Sequence, residues 1–188
     1  MTRHALFPTP LGRCGIAWRG EAVVATRLPD AHAERTAAAL AAGTGSSPGA
    51  PPDAIARAIA AITALLEGKR TDLRFVACDP GPLDAFREAV LAATRAVPPG
   101  ETTTYGAIAA RLGDPRRAQE VGQALGRNPL PIIVPCHRVL GANGRLTGFS
   151  APGGVATKLR MLRIEGARIG DEPGLFDALP LALAPRGR

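Results

Sequence analysis

One short run in this chain joins a soft nucleophile to a base: Pro135-Cys136-His137-Arg138. A cysteine attacks as its thiolate, and a free thiol is only a few per cent ionised at neutral pH. A cation, a histidine or a helix N-terminus beside the sulfur raises that fraction. His137 and Arg138 are such groups, but adjacency along the chain does not establish contact. Taken alone, the pair reads first as a buried thiol beside a surface His-Arg, because short motifs of this kind are weak. A Cys hydrolase finds no support in the flanking residues. The other two cysteines, Cys14 and Cys78, lie in strand-like runs and read as core thiols. Three widely spaced cysteines form neither a disulfide framework nor a Cys-x-x-Cys metal site. His4 and His32 add no recognisable ligand spacing. No metal and no cofactor is expected, and Trp18 is assigned to packing.

The surroundings of this run favour a polyanionic partner. The 188 residues carry a net charge of +7. From Glu101 to Gly170 there are ten Arg or Lys residues against four acidic ones, so +6 of that excess is local. A concentrated basic stretch is the footprint of nucleic acid more than of a diffuse compositional bias. Hydrophobic residues make up 46% of the chain, enough for a packed core, while aromatics are only 4%. The N-terminus lacks the apolar stretch of a signal peptide, and no run is long enough to span a bilayer. The chain is expected to be soluble and cytoplasmic, in a reducing compartment.

The elements that must position Cys136 fall into two parts and a tail: residues 1–80, 81–170 and 171–188. In the first part, Cys14–Trp18 and Ala22–Arg27 read as strands around a Gly20-Glu21 turn. Ala31–Ala42 reads as a helix, and 43–52 as a flexible Gly/Ser/Pro linker. Asp53 is placed as the cap of a helix to Leu66, with Ile55, Ile59, Ile62, Leu65 and Leu66 on one face. Leu73–Ala77 reads as a strand. In the second part, Leu83–Ala96 reads as an amphipathic helix with Phe86, Val90 and Leu91 inward. Thr102 or Thr103 is placed as the cap of a short helix, Tyr105–Leu112. Gly113-Asp114-Pro115 turns into a further helix, with Asp114 as cap and Pro115 in its first turn. Two short helices on a tight turn make a helix-turn-helix candidate. A Pro-rich extended segment, 128–135, then leads to Cys136, and Val155–Ile164 closes the part as a helix with Leu159 and Leu162 inward. The tail carries no clear period and is expected to pack poorly.

Longer context changes the weight of the Cys-His pair. The run Asn128-Pro-Leu-Pro-Ile-Ile-Val-Pro-Cys-His-Arg-Val139 resembles the acceptor-site motif of the O6-alkylguanine-DNA alkyltransferases. The resemblance extends through Val97–Gly106 and Val121–Gly126 upstream, and through Gly148–Gly154 and Lys158–Gly166 downstream. It covers about residues 84–167 with its motifs in the family's order. The first part fits the family's variable N-terminal domain more loosely, through Thr9-Pro-Leu-Gly12 and the linker position.

The resemblance implies an α/β fold. A small ribonuclease-H-like α/β domain would precede a mostly helical, winged or helix-turn-helix-like domain. Cys136 matches the alkyl acceptor. His137 matches the base that takes the thiol proton through a water, and Glu165 the acid that orients it. Tyr105 matches the residue that helps rotate the nucleotide out and donates to the purine, and Asn128 the one that ties the recognition segment to the acceptor loop. Leu125, Val139, Phe149, Ser150 and Lys158 fall at positions of the base pocket. Thr103, Tyr105, Arg116, Arg117, Gln119, Gly122, Arg127 and Arg138 are the expected DNA contacts. Two departures stand out. Gln119 occupies the place of the family's usual arginine finger, with Arg116 one turn earlier. Phe149 stands where a tyrosine is common.

The expected function is stoichiometric transfer of an alkyl group from O6-alkylguanine in double-stranded DNA to the protein's own cysteine, after nucleotide flipping. The protein is expected to act as a monomer with no obligate protein partner. The competing reading is a sensor of alkylated DNA or a regulatory helix-turn-helix protein; sensors of this type lack the acceptor cysteine, which counts against that version.

Overall fold

The computed structural model describes residues 1–167. The chain is a mixed α/β protein in which an N-terminal, mostly antiparallel sheet supports a helical half.

The sheet begins with a strand that the sequence analysis did not assign. β1 (Thr2–Thr9) pairs antiparallel with β2 (Gly12–Arg19) from Thr2↔Arg19 to Thr9↔Gly12, and β2 pairs with β3 (Ala22–Arg27). Both turns use glycine at positive φ, +125° at Gly12 and +58° at Gly20. The 43–52 segment is more than a linker. Its β4 (Ser47–Pro48) lies parallel on β1, giving the order β3-β2-β1-β4.

α1 (Ala33–Thr44) packs across β1, β2 and β3 through Thr36 and Leu40. α2 (Asp53–Leu66) buries Ile55, Ala58, Ile62, Leu65 and Leu66, while Ile59 is only partly covered. Asp53 is not its cap. The N-cap is Pro52, and Asp53 opens the first turn, where its charge meets the positive end of the helix. Leu73–Ala77 is a turn and not a strand. Its buried residues, Leu73 and Val76, are three apart, and Val76 N–H donates to Leu73 C=O at 3.1 Å. That spacing suits a turn, whereas a strand would bury every second residue. A single bridge between Val23 and Cys78 ties the segment to β3.

The second half starts with α3 (Ala85–Arg95), capped by Asp84, which accepts from Arg87 N–H at 2.9 Å. Val90 and Leu91 point inward as expected, and Phe86 is half-buried. A two-residue strand, β5 (Thr103–Thr104), runs directly into α4 (Tyr105–Arg111). The cap is Thr104, not Thr102 or Thr103; its hydroxyl accepts from Ala107 N–H at 3.0 Å. The chain turns at Gly113 (φ +101°), and Asp114 caps a 3₁₀ turn, Pro115–Arg117, that leads into α5 (Ala118–Gly126). Val121, Ala124 and Leu125 are buried. β6 (Val139–Leu140) lies parallel to β5, with Thr103 opposite Val139 and Thr104 opposite Leu140. This short pairing brings Tyr105 alongside the segment that follows Cys136. α6 (Gly154–Ile164) closes the described chain; Met161 and Leu162 are its buried apolar residues, and Leu159 is only partly covered.

One hydrophobic cluster runs through both halves, from Ile16 and Leu65 to Val90, Val121, Ile133 and Met161. Polar contacts join them too. Thr26 N–H donates to Pro129 C=O at 3.0 Å and its hydroxyl to Pro131 C=O at 2.6 Å. Among the described residues no helix is long and apolar enough to cross a membrane. The expectation for 171–188 falls outside the described residues.

Candidate active site

The Pro-rich run from Asn128 to Pro135 is a buried loop held by one side chain. Asn128 Nδ2 donates to Val134 C=O and its Oδ1 accepts from Leu130 N–H, each at 2.9 Å. The loop bends at Ile132, whose φ is +79° although it is β-branched and fully buried. That conformation is strained for such a residue, and strain of this kind persists where packing on all sides enforces it. Cys136 N–H then reaches back to Val134 C=O at 2.8 Å across Pro135, whose φ of −80° and ψ of 66° make an inverse γ-turn. Proline suits the centre of this turn because its ring already fixes φ. A 3₁₀ turn, Cys136–Arg138, follows.

That turn places three polar side chains inside the protein. His137 is fully buried, and its Nε2 lies 2.9 Å from Glu165 Oε1. Arg138, 4% exposed, grips the same carboxylate with Nε and Nη2, both at 2.8 Å, and donates through Nη1 to Val97 C=O. Burial alone would raise the Glu165 pKa, but the hydrogen bonds and charges of His137 and Arg138 outweigh it and hold the group at about 2. Glu165 is therefore a carboxylate, which can only accept. Burial in turn lowers the His137 pKa, so the ring is neutral. A neutral ring facing an obligate acceptor carries its proton on Nε2, which leaves the lone pair on Nδ1. Nδ1 is buried and has no hydrogen-bond partner among the described residues. The arrangement sets the imidazole in the tautomer of a base.

The Cys136 thiol is 9% exposed. Burial pushes its pKa up, against an opposing hydrogen bond from Asn128 and the nearby Lys158 ammonium. The resting sulfur is accordingly a thiol that needs a base. Lys158 is itself fully buried; it donates to Val139 C=O and Thr147 C=O and sits 5.7 Å from the centre of the Tyr105 ring. Burial lowers its pKa to about 8.

The Glu165 carboxylate makes folding acid-sensitive. Its folded pKa of about 2 lies below the ordinary 4.5. Its contribution is present above the unfolded value and disappears as pH falls through the folded one. With 1.36 kcal/mol per pKa unit, the loss is about 3 kcal/mol. Urea unfolding between pH 5 and pH 2 is expected to show this decline, and Glu165→Gln to flatten it.

A cavity of about 480 Å³ has Cys136 in its wall. Tyr105, Gly122, Leu125, Cys136, Phe149 and Ser150, all expected from the sequence, line it. Gly126, Thr147 and Gly148 line it too and were not singled out. For the two glycines a signal was present, since glycine beside pocket positions leaves room for a ligand to approach the backbone; Thr147 carried none. Tyr105 lies flat enough against α5 that a Cβ on Gly122 would meet its ring at 3.8 Å.

Three assignments need correction. Val139 and Lys158 do not line this cavity. The Val139 carbonyl is occupied by the Lys158 ammonium, and both residues lie behind the wall as its support. Arg138 is not a DNA contact. It is buried with its donors on Glu165 and Val97, so no phosphate reaches it. The remaining basic candidates lie at the surface near α5. Arg116 is bound to Asp114 through Nε and Nη2, with a side chain 89% exposed. Arg117 pairs with Glu120 and lies 3.7 Å over the Phe86 ring, which ties it to α3. Gln119 and Arg127 are exposed, and Thr103 lies in β5.

Known proteins resemble this chain in sequence and fold. Residues 85–167 match the family model described as 6-O-methylguanine DNA methyltransferase, DNA binding domain. A methylated-DNA--protein-cysteine methyltransferase of Methanosarcina acetivorans is 49% identical over 82 residues, 44% of this chain and 51% of that relative, so the match spans about half of that protein. One of the same name from Mycolicibacterium paratuberculosis is 33% identical over 177 residues, 94% of this chain and 100% of the relative. A crystal structure of Mycobacterium tuberculosis OGT in complex with DNA superimposes with a TM-score of 0.72 at 34% identity, covering 87% of this chain and 92% of that one. A full-length relative, a matching fold and the motifs around Cys136 agree, and the chain belongs to the 6-O-methylguanine DNA methyltransferase family.

Proposed function

We propose that this protein repairs DNA by taking the alkyl group of O6-alkylguanine onto Cys136. The observation that carries the reading is the buried Arg138–Glu165–His137 chain, which leaves a base-ready nitrogen on the residue that follows Cys136, itself in the wall of a purine-sized cavity. His137 Nδ1 takes the thiol proton through a water. The thiolate sulfur forms a bond to the alkyl carbon while the carbon–O6 bond breaks, and that electron pair leaves on the guanine. Tyr105, whose pKa burial raises, stays protonated and donates to the departing base. The product is a thioether with no easy leaving group, so each molecule reacts once.

DNA is the partner, and the lesion must leave the stack to reach a sulfur this deep. We assign α4 and α5 to a helix-turn-helix within a winged-type domain of residues 81–170, with α5 in the minor groove. Residues 1–80 form the ribonuclease-H-like domain that braces the acceptor loop through Thr26. Arg116, Arg117 and Arg127 grip phosphates without reading sequence, which makes binding fall with salt. The protein works as a cytoplasmic monomer. Gln119 is the weak point of flipping, because it lacks the charge and the fork of arginine. Gln119→Arg is expected to speed transfer from duplex several-fold and to leave transfer from a single-stranded oligonucleotide unchanged, in a quench-and-digest rate assay.

The deciding experiment is intact mass after incubation with an O6-methylguanine duplex. The protein gains one methylene, about 14 Da, as covalent transfer requires. Peptide mapping places it on Cys136 and not on Cys14 or Cys78. Retained DNA binding with no mass gain would overturn this reading in favour of the sensor.

A further inference from the structure

A separate cavity, of about 220 Å³, shares no residue with the one that holds Cys136 in its wall. It lies between the segment after α2, the end of α3 and the loop before β5. Arg70, Arg74, Arg95 and Arg138 line it, together with the acids Asp72 and Glu101. Much of this charge is already matched. Arg74 holds Asp72 with Nε and Nη2, the latter at 2.7 Å. Arg138 spends its donors on Glu165 and Val97. Two cations remain. Arg70 makes no hydrogen bond or ion pair among the described residues, and its guanidinium reaches across to the loop before β5, where a Cβ on Gly100 would meet Nη2 at 3.6 Å. Arg95 gives Nη2 to the carbonyls of Leu73, Arg74 and Val76, but its Nε is buried with no hydrogen-bond partner among the described residues. The one acid left over, Glu101, is exposed.

We propose that this cavity binds a small phosphate-bearing anion, inorganic phosphate or a phosphomonoester of similar size, which braces the two halves of the protein from behind the acceptor loop. A buried donor without an acceptor is costly, and an anionic oxygen satisfies it. Guanidinium groups match tetrahedral oxyanions through paired N–H donors, and such charge-assisted bonds are the strong kind. Phosphate has an oxygen for each of Arg70, Arg74 and Arg95, whereas a carboxylate has only two. Leu73, Val97, Ile132 and Ile133 form an apolar flank, beside which the attraction is screened less than in water. The volume favours a small ion over a nucleotide, since it falls below the about 300–1,000 Å³ of drug-sized sites. Arg70 comes from the N-terminal half, Arg95 from α3, and Ile132 and Ile133 from the acceptor loop, so one anion would tie all three. Arg116, Arg117 and Arg127, assigned above to DNA, line none of it.

Isothermal titration calorimetry of the full chain with inorganic phosphate, at constant ionic strength, is expected to give one saturable site. Arg70→Gln removes an exposed, unpaired side chain outside the Glu165–His137 chain, and should weaken binding about tenfold or more, the worth of one charge-assisted hydrogen bond. Arg57→Gln removes the same charge from an exposed position on α2 and should leave the affinity unchanged. Urea unfolding gives a second readout. Phosphate stabilises folded proteins in general by exclusion from their surface, so the measure is the extra rise in midpoint of the wild type over Arg70→Gln. Heat that does not saturate at millimolar phosphate overturns the proposal, as do equal losses in the two variants or a loss in neither. Displacement of phosphate by undamaged duplex, with a matching loss of duplex affinity in Arg70→Gln, overturns it as well, because Arg70 would then belong to the DNA footprint. Alkyl transfer enters none of these readings, so their failure leaves the transfer reading standing.

Discussion

Cys136→Ala is expected to abolish alkyl acquisition completely while leaving duplex binding and its salt dependence intact. Transfer needs a sulfur at this point, and neither remaining thiol can supply it. Cys14 is fully buried in β2 with its pKa pushed up to about 11 by burial, and Cys78 lies at the edge of β3. Binding should survive, because α5 and the arginines proposed to grip phosphate lie outside the acceptor turn. Intact mass and a gel-shift series in salt check the two halves of this result. His137→Gln makes the useful comparison. It keeps the sulfur but removes the base, and general-base assistance contributes about 10²- to 10⁴-fold. The transfer rate should fall by that factor at neutral pH. It should recover in part as pH rises, when hydroxide can ionise the thiol directly. Cys136→Ala has no such recovery, so the two profiles separate nucleophile from base.

Arg138→Met is expected to destabilise the fold by about 3–5 kcal/mol, the cost of stranding one member of a buried ion pair. The substitution leaves the Glu165 carboxylate almost wholly buried, with the His137 ring as its only remaining partner among the hydrogen bonds described above. Equilibrium unfolding in urea measures it. The double variant Arg138→Met/Glu165→Gln should regain much of the loss, because the uncompensated charge is gone. Arg138→Lys keeps the charge but gives up the two-pronged grip, and should fall between wild type and Arg138→Met. A phosphate contact would behave differently: its loss would weaken DNA binding and leave stability almost unchanged.

Local punctuation was legible. The Gly20-Glu21 and Gly113-Asp114-Pro115 turns, the Asp114 cap, and the α1, α2, α3 and α6 spans all follow from side chains acting within a few residues of themselves. Elements defined by distant partners were less so. β1 was not assigned, since its pairing with β2 decides it, and β4 exists only because two residues of an apparent linker lie along β1. Leu73–Ala77 has the composition of a strand but forms a turn, because the burial of Leu73 and Val76 sets a three-residue spacing. Thr104 rather than its neighbours caps α4, since the β5–β6 pairing fixes where the helix can begin.

At the site, the sequence by itself supplied candidate groups. Cys136 and His137 stood out by residue type, and Tyr105, Asn128 and Glu165 were implied by the resemblance of the surrounding motifs. Only the tertiary structure decided which groups face which. Arg138 sits next to His137 in sequence and looked like a cation for DNA or for the thiol; folding turns it inward onto a carboxylate 27 residues away. Lys158 and Val139 looked like pocket walls and became the support behind one. Burial is the reason in each case. A charged side chain taken from water must find an opposite charge or several carbonyls, and that partner is chosen by three-dimensional packing, which no spacing along the chain encodes.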